Sequence, residues 1–196
     1  MSSLSMSSRH SPVVSFDDEP LILVDAQDNE VGYRTKAECH NGEGLLHRAF
    51  SVFLFNLQGE LLLQQRSASK RLWPLYWANS CCSHPRRGEA TPDAAARRTR
   101  EELSLGARLE YLFKFTYQVP FESEGAEHEL CWVFAGRVDG LPRVNANEIA
   151  ATRFVAPEAL DHEMVANPER YTPWLKIEWP RLRAEHWSQV EALLGA

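Results

Sequence analysis

Three histidines and two glutamates spread along the chain, His40, His47, His84, Glu127 and Glu129, constrain its fold more than any other feature. Neutral imidazoles and carboxylates are the nitrogen and oxygen donors that suit Zn, Mn or Mg-class ions, so together they could close around one divalent ion. The fold would then have to bring segments far apart in sequence to one point. Glu127 and Glu129 are two apart in Glu127-His128-Glu129-Leu130-Cys131-Trp132-Val133-Phe134; on a strand both carboxylates face one side and His128 the other. Cys82 stands two residues before His84. Spacing alone leaves open the alternative that these are ordinary side chains with no common site.

A chain of 196 residues with 44% hydrophobic content can bury a proper core and fits one domain better than two. The expected division is a disordered or extended tail over residues 1–20 and a single domain over 21–196. A net charge of -6 argues against nucleic-acid binding, which rests on clustered cations. A small anionic substrate is still allowed, because it feels local charge. No stretch approaches the roughly 18 consecutive apolar residues of a membrane span. Met1 to Ser11 is Ser-rich with no apolar h-region and reads as a tail, not a secretory signal. Four cysteines without such a signal imply a reducing compartment, hence the cytoplasm, and a monomer is the favoured state. Cys81 and Cys82 are chain neighbours and an improbable disulfide pair.

Apolar alternation and turn residues predict strands at Leu21 to Val24 and Val31 to Arg34 around a turn at Gln27-Asp28-Asn29. A hairpin follows from Ala49 to Asn56 and Glu60 to Gln65, with Gly59 free to take a positive φ. Thr91, as N-cap, and Pro92 at the first helical position predict a helix from Pro92 to about Ser104. Strand composition returns over Arg108 to Val119 and Glu129 to Val138, joined through the acidic turn Glu122-Ser123-Glu124-Gly125. Thr172-Pro173 repeats the helix-start signal, and Pro180 should break or kink that helix. The class is therefore α/β (α+β).

Read from Ser83, the chain has Glu89, Arg97, the pair Glu101-Glu102 and Leu105 at the spacing of the Nudix box, the loop-helix-loop whose glutamates hold Mg on a diphosphate. The resemblance is degenerate. Ser83 and Ser104 stand where that family has glycines, and Arg98 stands where its hydrolases have a glutamate. On a helix, Arg98, Glu101 and Glu102 share a face, so a cation there pairs with the glutamates or with a phosphate. Replacing one carboxylate of a hydrolase cluster by a cation should reduce hydrolysis. Alone, the pattern is equally a charged solvent face.

Four further runs sharpen the resemblance: Leu46-His47-Arg48-Ala49-Phe50-Ser51, Arg66 to Pro74, Trp77 to Pro85, and Glu127 to Cys131. Together they look like the type I isopentenyl diphosphate isomerases, a Nudix-fold family, over roughly Leu21 to Trp174. The resemblance implies mixed β-sheets sandwiched between helices. It places the ligands of one divalent ion (Mn, Zn or Mg) on His40, His47, His84, Glu127 and Glu129. The catalytic cysteine falls on Cys82, the catalytic glutamate on Glu129 and the assisting tyrosine on Tyr117. A second, substrate-linked Mg falls on Glu102 with the Cys82 backbone carbonyl. Diphosphate-binding cations fall on Lys36, Arg66, Lys70 and Arg98, with Ser83 at the active loop, and the tryptophan lining the hydrocarbon pocket falls on Trp174.

The implied activity is a 1,3-allylic shift between isopentenyl and dimethylallyl diphosphate. An isolated alkene is a very weak base, so such a site needs an acid, a base and shelter from water for the tertiary carbocation between them. Two other readings stand beside it: a Nudix hydrolase of a nucleoside or prenyl diphosphate, against which Arg98 speaks, and a non-catalytic prenyl-diphosphate or metal-binding protein, which would have no use for Cys82 or Glu129.

Overall fold

A computed structural model of the chain describes residues 11–195. The first ten residues of the expected tail lie outside the described residues. Ser11 to Glu19 carries no helix or strand. The chain then builds β1 (Pro20–Val24) and β2 (Glu30–Thr35), an antiparallel hairpin turned by Asp28 at φ 70°. Aspartate tolerates that left-handed conformation better than most residues. A one-turn helix, α1 (Lys36–Cys39), follows. It starts at a capping box in which Thr35 and Glu38 satisfy each other's backbone N–H groups.

The centre of the fold is β3 (His47–Phe55), buried along nearly its whole length. Gly59 turns the chain at φ 77° into β4 (Leu61–Arg66), but the expected hairpin closes only at Phe55 and Leu61. Beyond that pair the strands splay. β3 instead takes β6 (Cys81–Ser83) antiparallel and β8 (Gly125–Arg137) parallel, while β4 takes β5 (Trp77–Ala78) and β9 (Ile149–Val155). A strand that is apolar on both faces gains more from two flanking partners and two covered faces than from one long hairpin. β7 (Leu109–Phe121) and β8 form the expected long hairpin, its turn set by Glu122 at φ 49°.

Helices cover both faces. α2 (Thr91–Leu103) packs Ala94, Ala95 and Leu103 with Phe50, Val52 and Leu54 of β3. On the other side α3 (Pro157–Ala166), α4 (Pro173–Glu185) and α5 (Trp187–Leu194) pack Leu160, Leu175, Trp179, Leu182 and Val190 with Phe53 and Phe55. Each fully buried side chain of this size stabilises by roughly 1.5–3 kcal/mol.

Two local expectations are corrected. The N-cap of α2 is Ala90, not Thr91; Thr91 is the first helical residue, buried, and Pro92 follows it, so no side chain caps this end. Pro180 does not break α4, which runs to Glu185. Proline there removes only the bond to the Lys176 carbonyl, and both residues are exposed, so water can take the freed group. Ser104 caps the end of α2 at φ 55°, which is why a glycine suits that position of the box. Ser83 has no positive φ, so the backbone there does not demand glycine.

Candidate active site

Strand register assembles the site. Across three neighbouring strands Tyr117 lies opposite Glu129, and Glu129 opposite His47; on the far side of β3, Ser51 lies opposite Cys82. Because side chains alternate along a strand, His47 and Ser51, Glu127, Glu129 and Cys131, and Tyr117 all rise from the same face. Where the apolar packing of that face stops, a cavity of about 370 Å³ opens. Cys82, Ser83, Tyr117 and Glu129 line it together with Lys36, His40, Arg66, Lys70, His84, Arg98, Glu127 and Trp174. Of the residues singled out in the sequence, His47 and Glu102 sit behind this wall, both buried.

Donor atoms of His40, His47, His84 and Glu129 all lie within 4.8 Å of one another. His40 Nδ1–H donates to the Lys36 carbonyl and His47 Nδ1–H to the Leu45 carbonyl, each at 2.7 Å. A carbonyl only accepts, so Nδ1 carries a proton in both rings and Nε2 is the atom each ring directs into the cluster. Burial, then the His40 charge, pushes His47 down to about 4, and burial holds His84 well below the usual histidine range. His47 Nε2 and His84 Nε2 stand 3.2 Å apart, and His84 Nε2 stands 3.2 Å from Glu129 Oε1. Imidazole nitrogens facing one another and a carboxylate form a donor set that fits a divalent transition ion once the His40 proton is displaced. Glu127 joins through His40, with Oε2 2.8 Å from Nε2; burial works against its charge, but the His40 imidazole more than reverses this and lowers its pKa. Gly125 makes that pairing possible. Its φ is 146° and a Cβ there would lie 2.1 Å from the His40 carbonyl oxygen, which accepts the Ala126 N–H at 3.1 Å.

Glu129 is gripped from the other side by Tyr117, whose hydroxyl donates to Oε2 at 2.7 Å. Burial, then the neighbouring Glu127 charge, raises the Glu129 pKa well above the carboxylate range. Cys82 Sγ donates to Asn79 Oδ1 at 2.8 Å and lies 3.6 Å from Ser51 Oγ; burial, then Glu178, pushes its thiol far up. Cys81, its neighbour, points into the α2 core.

The cations gather at the other end. Arg98 is 3% exposed and donates to Glu102 at 2.6 Å, with Glu101 and Glu148 each at 3.4 Å. Lys70 also pairs with Glu148. Arg66 is held by the Leu72 and Trp73 carbonyls and lies 5.1 Å over the Trp174 ring. Residues of the expected tail reach this end: Arg98 donates to the Val14 carbonyl, and Lys36 bonds Ser15 and pairs with Glu19. Sequence reasoning missed Ser51, Asn79, Glu148 and Glu178. Glu178 sits in an apolar-patterned helix that looks like core, and Glu148 lies in a segment without periodicity; Ser51, ending the run Leu46 to Ser51, and Asn79, inside the run Trp77 to Pro85, stood within recognisable words.

Residues 45–175 match the NUDIX domain family. An isopentenyl-diphosphate Delta-isomerase of Serratia proteamaculans (strain 568) is 43% identical over 178 residues, covering 89% of this chain and 99% of that protein. One of Nocardia farcinica is 44% identical over 157 residues, covering 80% and 90%. Among solved structures, DR0079 from Deinococcus radiodurans superposes with TM-score 0.69 at 28% identity, covering 83% of this chain and 98% of that one. A MutT protein from Methanosarcina mazei Go1 shares the fold at TM-score 0.58 and 17% identity, covering 71% and 94%. No helix among the described residues is long and apolar enough to cross a membrane. With a Nudix domain over most of its length, and relatives so named along nearly all of theirs, the chain belongs to the isopentenyl-diphosphate Delta-isomerase family of Nudix enzymes.

Proposed function

We propose that the chain interconverts isopentenyl and dimethylallyl diphosphate with Cys82 and Glu129 as the two proton-transfer groups. One adds a proton to the terminal alkene carbon and the other removes one from the carbon across the tertiary centre, on opposite faces of a flat C5 unit. The observation that carries this reading is one cavity lined by both residues, with Tyr117 bonded to Glu129 and with Lys36, Arg66, Lys70 and Arg98 along the same wall. Tyr117 orients the Glu129 carboxyl and tunes its proton affinity. Trp174 offers an aromatic face to the carbocation, worth ~2 kcal/mol when desolvated.

The lysines and arginines, with Ser83 nearby, anchor the diphosphate, which must stay uncleaved because it leaves easily once the product is allylic. His40, His47, His84, Glu127 and Glu129 would hold one divalent ion, of the Mn, Zn or Mg class, which when bound fixes the Glu129 carboxylate and alters its basicity. Glu102 and the Cys82 carbonyl would meet a Mg that arrives with the substrate, since two oxygens alone leave that ion mostly hydrated. The test is a metal-replete assay that follows alkene transposition and released phosphate in parallel. Alkene shift without phosphate release is the expected result. Rapid phosphate release without the shift would transfer the assignment to a Nudix hydrolase.

A further inference from the structure

A buried carboxyl group beside the proton-transfer face takes no part in the chemistry above. Glu178 follows Trp174 by one turn of α4, so the two side chains share a helix face. It is 0% exposed. Its Oε1 accepts the Cys131 thiol at 3.5 Å, and Oε2 has no partner. A carboxylate buried without a cation is costly, so the group stays protonated; burial pushes it up to about 8. Ser51 Oγ lies 3.5 Å from Cys131 Sγ and 3.6 Å from Cys82 Sγ, and Ser51 is the strand neighbour of Cys82 in register. A continuous line of polar contacts therefore runs from α4, through Ser51 and Cys131, to the Cys82 thiol. The remaining contact of that thiol is Asn79.

We infer that Glu178 is a positioning residue for Cys82: an uncharged hydrogen-bonding group that holds Ser51 and Cys131 beneath the thiol and keeps Sγ aimed at the hydrocarbon end of the cavity. The inference rests on the proposal that Cys82 exchanges a proton with the substrate. A polar anchor serving only to dock α4 would affect stability and nothing else. A positioning residue acts on the barrier, because a small misplacement of a proton-transfer group lowers turnover while the diphosphate cations still hold the substrate.

The experiment compares Glu178→Leu, Glu178→Gln, Ser51→Ala and Cys82→Ala with the parent in metal-replete enzyme. It measures kcat, KM, melting temperature and, by peptide mapping, the rate at which iodoacetamide alkylates Cys82. Glu178→Leu should lower kcat at least about tenfold with KM within about threefold of the parent, and Glu178→Gln, which keeps the hydrogen bonds, should restore most of the lost kcat. Ser51→Ala should lower kcat in the same way and change the Cys82 alkylation rate. Parental kcat in Glu178→Leu, with only its melting temperature reduced, overturns the inference. Glu178→Gln as slow as Glu178→Leu also overturns it, since a transferable proton would then matter more than position. Should Glu178→Leu not fold, Ser51→Ala decides: parental kcat and alkylation rate in that variant defeat the proposal. Turnover surviving in Cys82→Ala would remove the underlying assignment of Cys82, whereas a dead Cys82→Ala beside a fully active Glu178→Leu removes the inference alone.

Discussion

Glu178→Gln should make the protein more stable at neutral pH and leave it almost unchanged in acid. The carboxyl rises from an ordinary value of 4.5 to about 8 in the fold, chiefly through burial. Between those two values the unfolded chain is ionised at this position and the native chain is not. An acid whose pKa is raised on folding contributes its full stability below the lower value and loses it as pH climbs toward the upper one. At ~1.36 kcal/mol per pH unit the loss reaches about 3 kcal/mol at pH 7 and levels off near 5 kcal/mol above pH 8. Glutamine does not titrate, so the variant escapes this loss. For a chain of this length the gain at pH 7 corresponds to a melting-temperature increase of about 6–12 °C. Urea denaturation of parent and variant at pH 4 and pH 7.5, with equal metal content, isolates the effect, because every other titration is common to both. A stability difference of the same size at the two pH values would refute the argument.

Four other perturbations test the site. His47→Ala should lose bound divalent metal and activity together, read by elemental analysis beside the assay; full activity in metal-free protein would contradict the donor set. Cys82→Ala and Glu129→Gln should each stop turnover while substrate affinity stays within a few-fold, whereas Cys81→Ala should be mild because Cys81 packs in the α2 core; the reverse ranking of the two cysteines would reject the register through β6. Arg98→Met strips the cation from buried Glu102 and Glu148, which should cost about 3–5 kcal/mol in denaturant melts and weaken diphosphate binding; unaltered stability would mean that the ion pairs do not persist in solution. Gly125→Ala places a Cβ against the His40 carbonyl, so metal content should drop in protein that remains folded, and parental metal content would show that His40 tolerates the shift.

Local chemistry in the sequence was enough for the long elements. Alternation and strand composition marked β1 to β4, β7 and β8, Gln27 to Asn29, Gly59 and Glu122 to Gly125 marked their turns, and Thr-Pro pairs marked the starts of α2 and α4. β5 and β6, two and three residues long, left no such pattern, because strands this short draw their stability from partners rather than from their own composition. β9, Ile-Ala-Ala-Thr-Arg-Phe-Val, shows no apolar alternation to read. The N-cap at Ala90 and the continuity of α4 through Pro180 went against local preference for the same reason: packing of the buried helix face outweighs a cap or a single lost bond.

The sequence by itself determined the kinds of donor available, the shared face of Glu127 and Glu129, the cation in place of a box glutamate at Arg98, and, through four runs of residues, the family. Tertiary structure alone decided that His47, Glu129 and Tyr117 form one row, since that row depends on a parallel register between β3 and β8 that no local pattern encodes. It also decided the contacts of residues whose sequence context looks like ordinary core. The register of β3 with β6 set Ser51 beside the Cys82 thiol, and α4, closing over the same face of the sheet, brought Glu178 against Cys131. Hydrogen bonds and burial depend on which atoms end up within a few ångströms, and that proximity comes from the packing of distant segments.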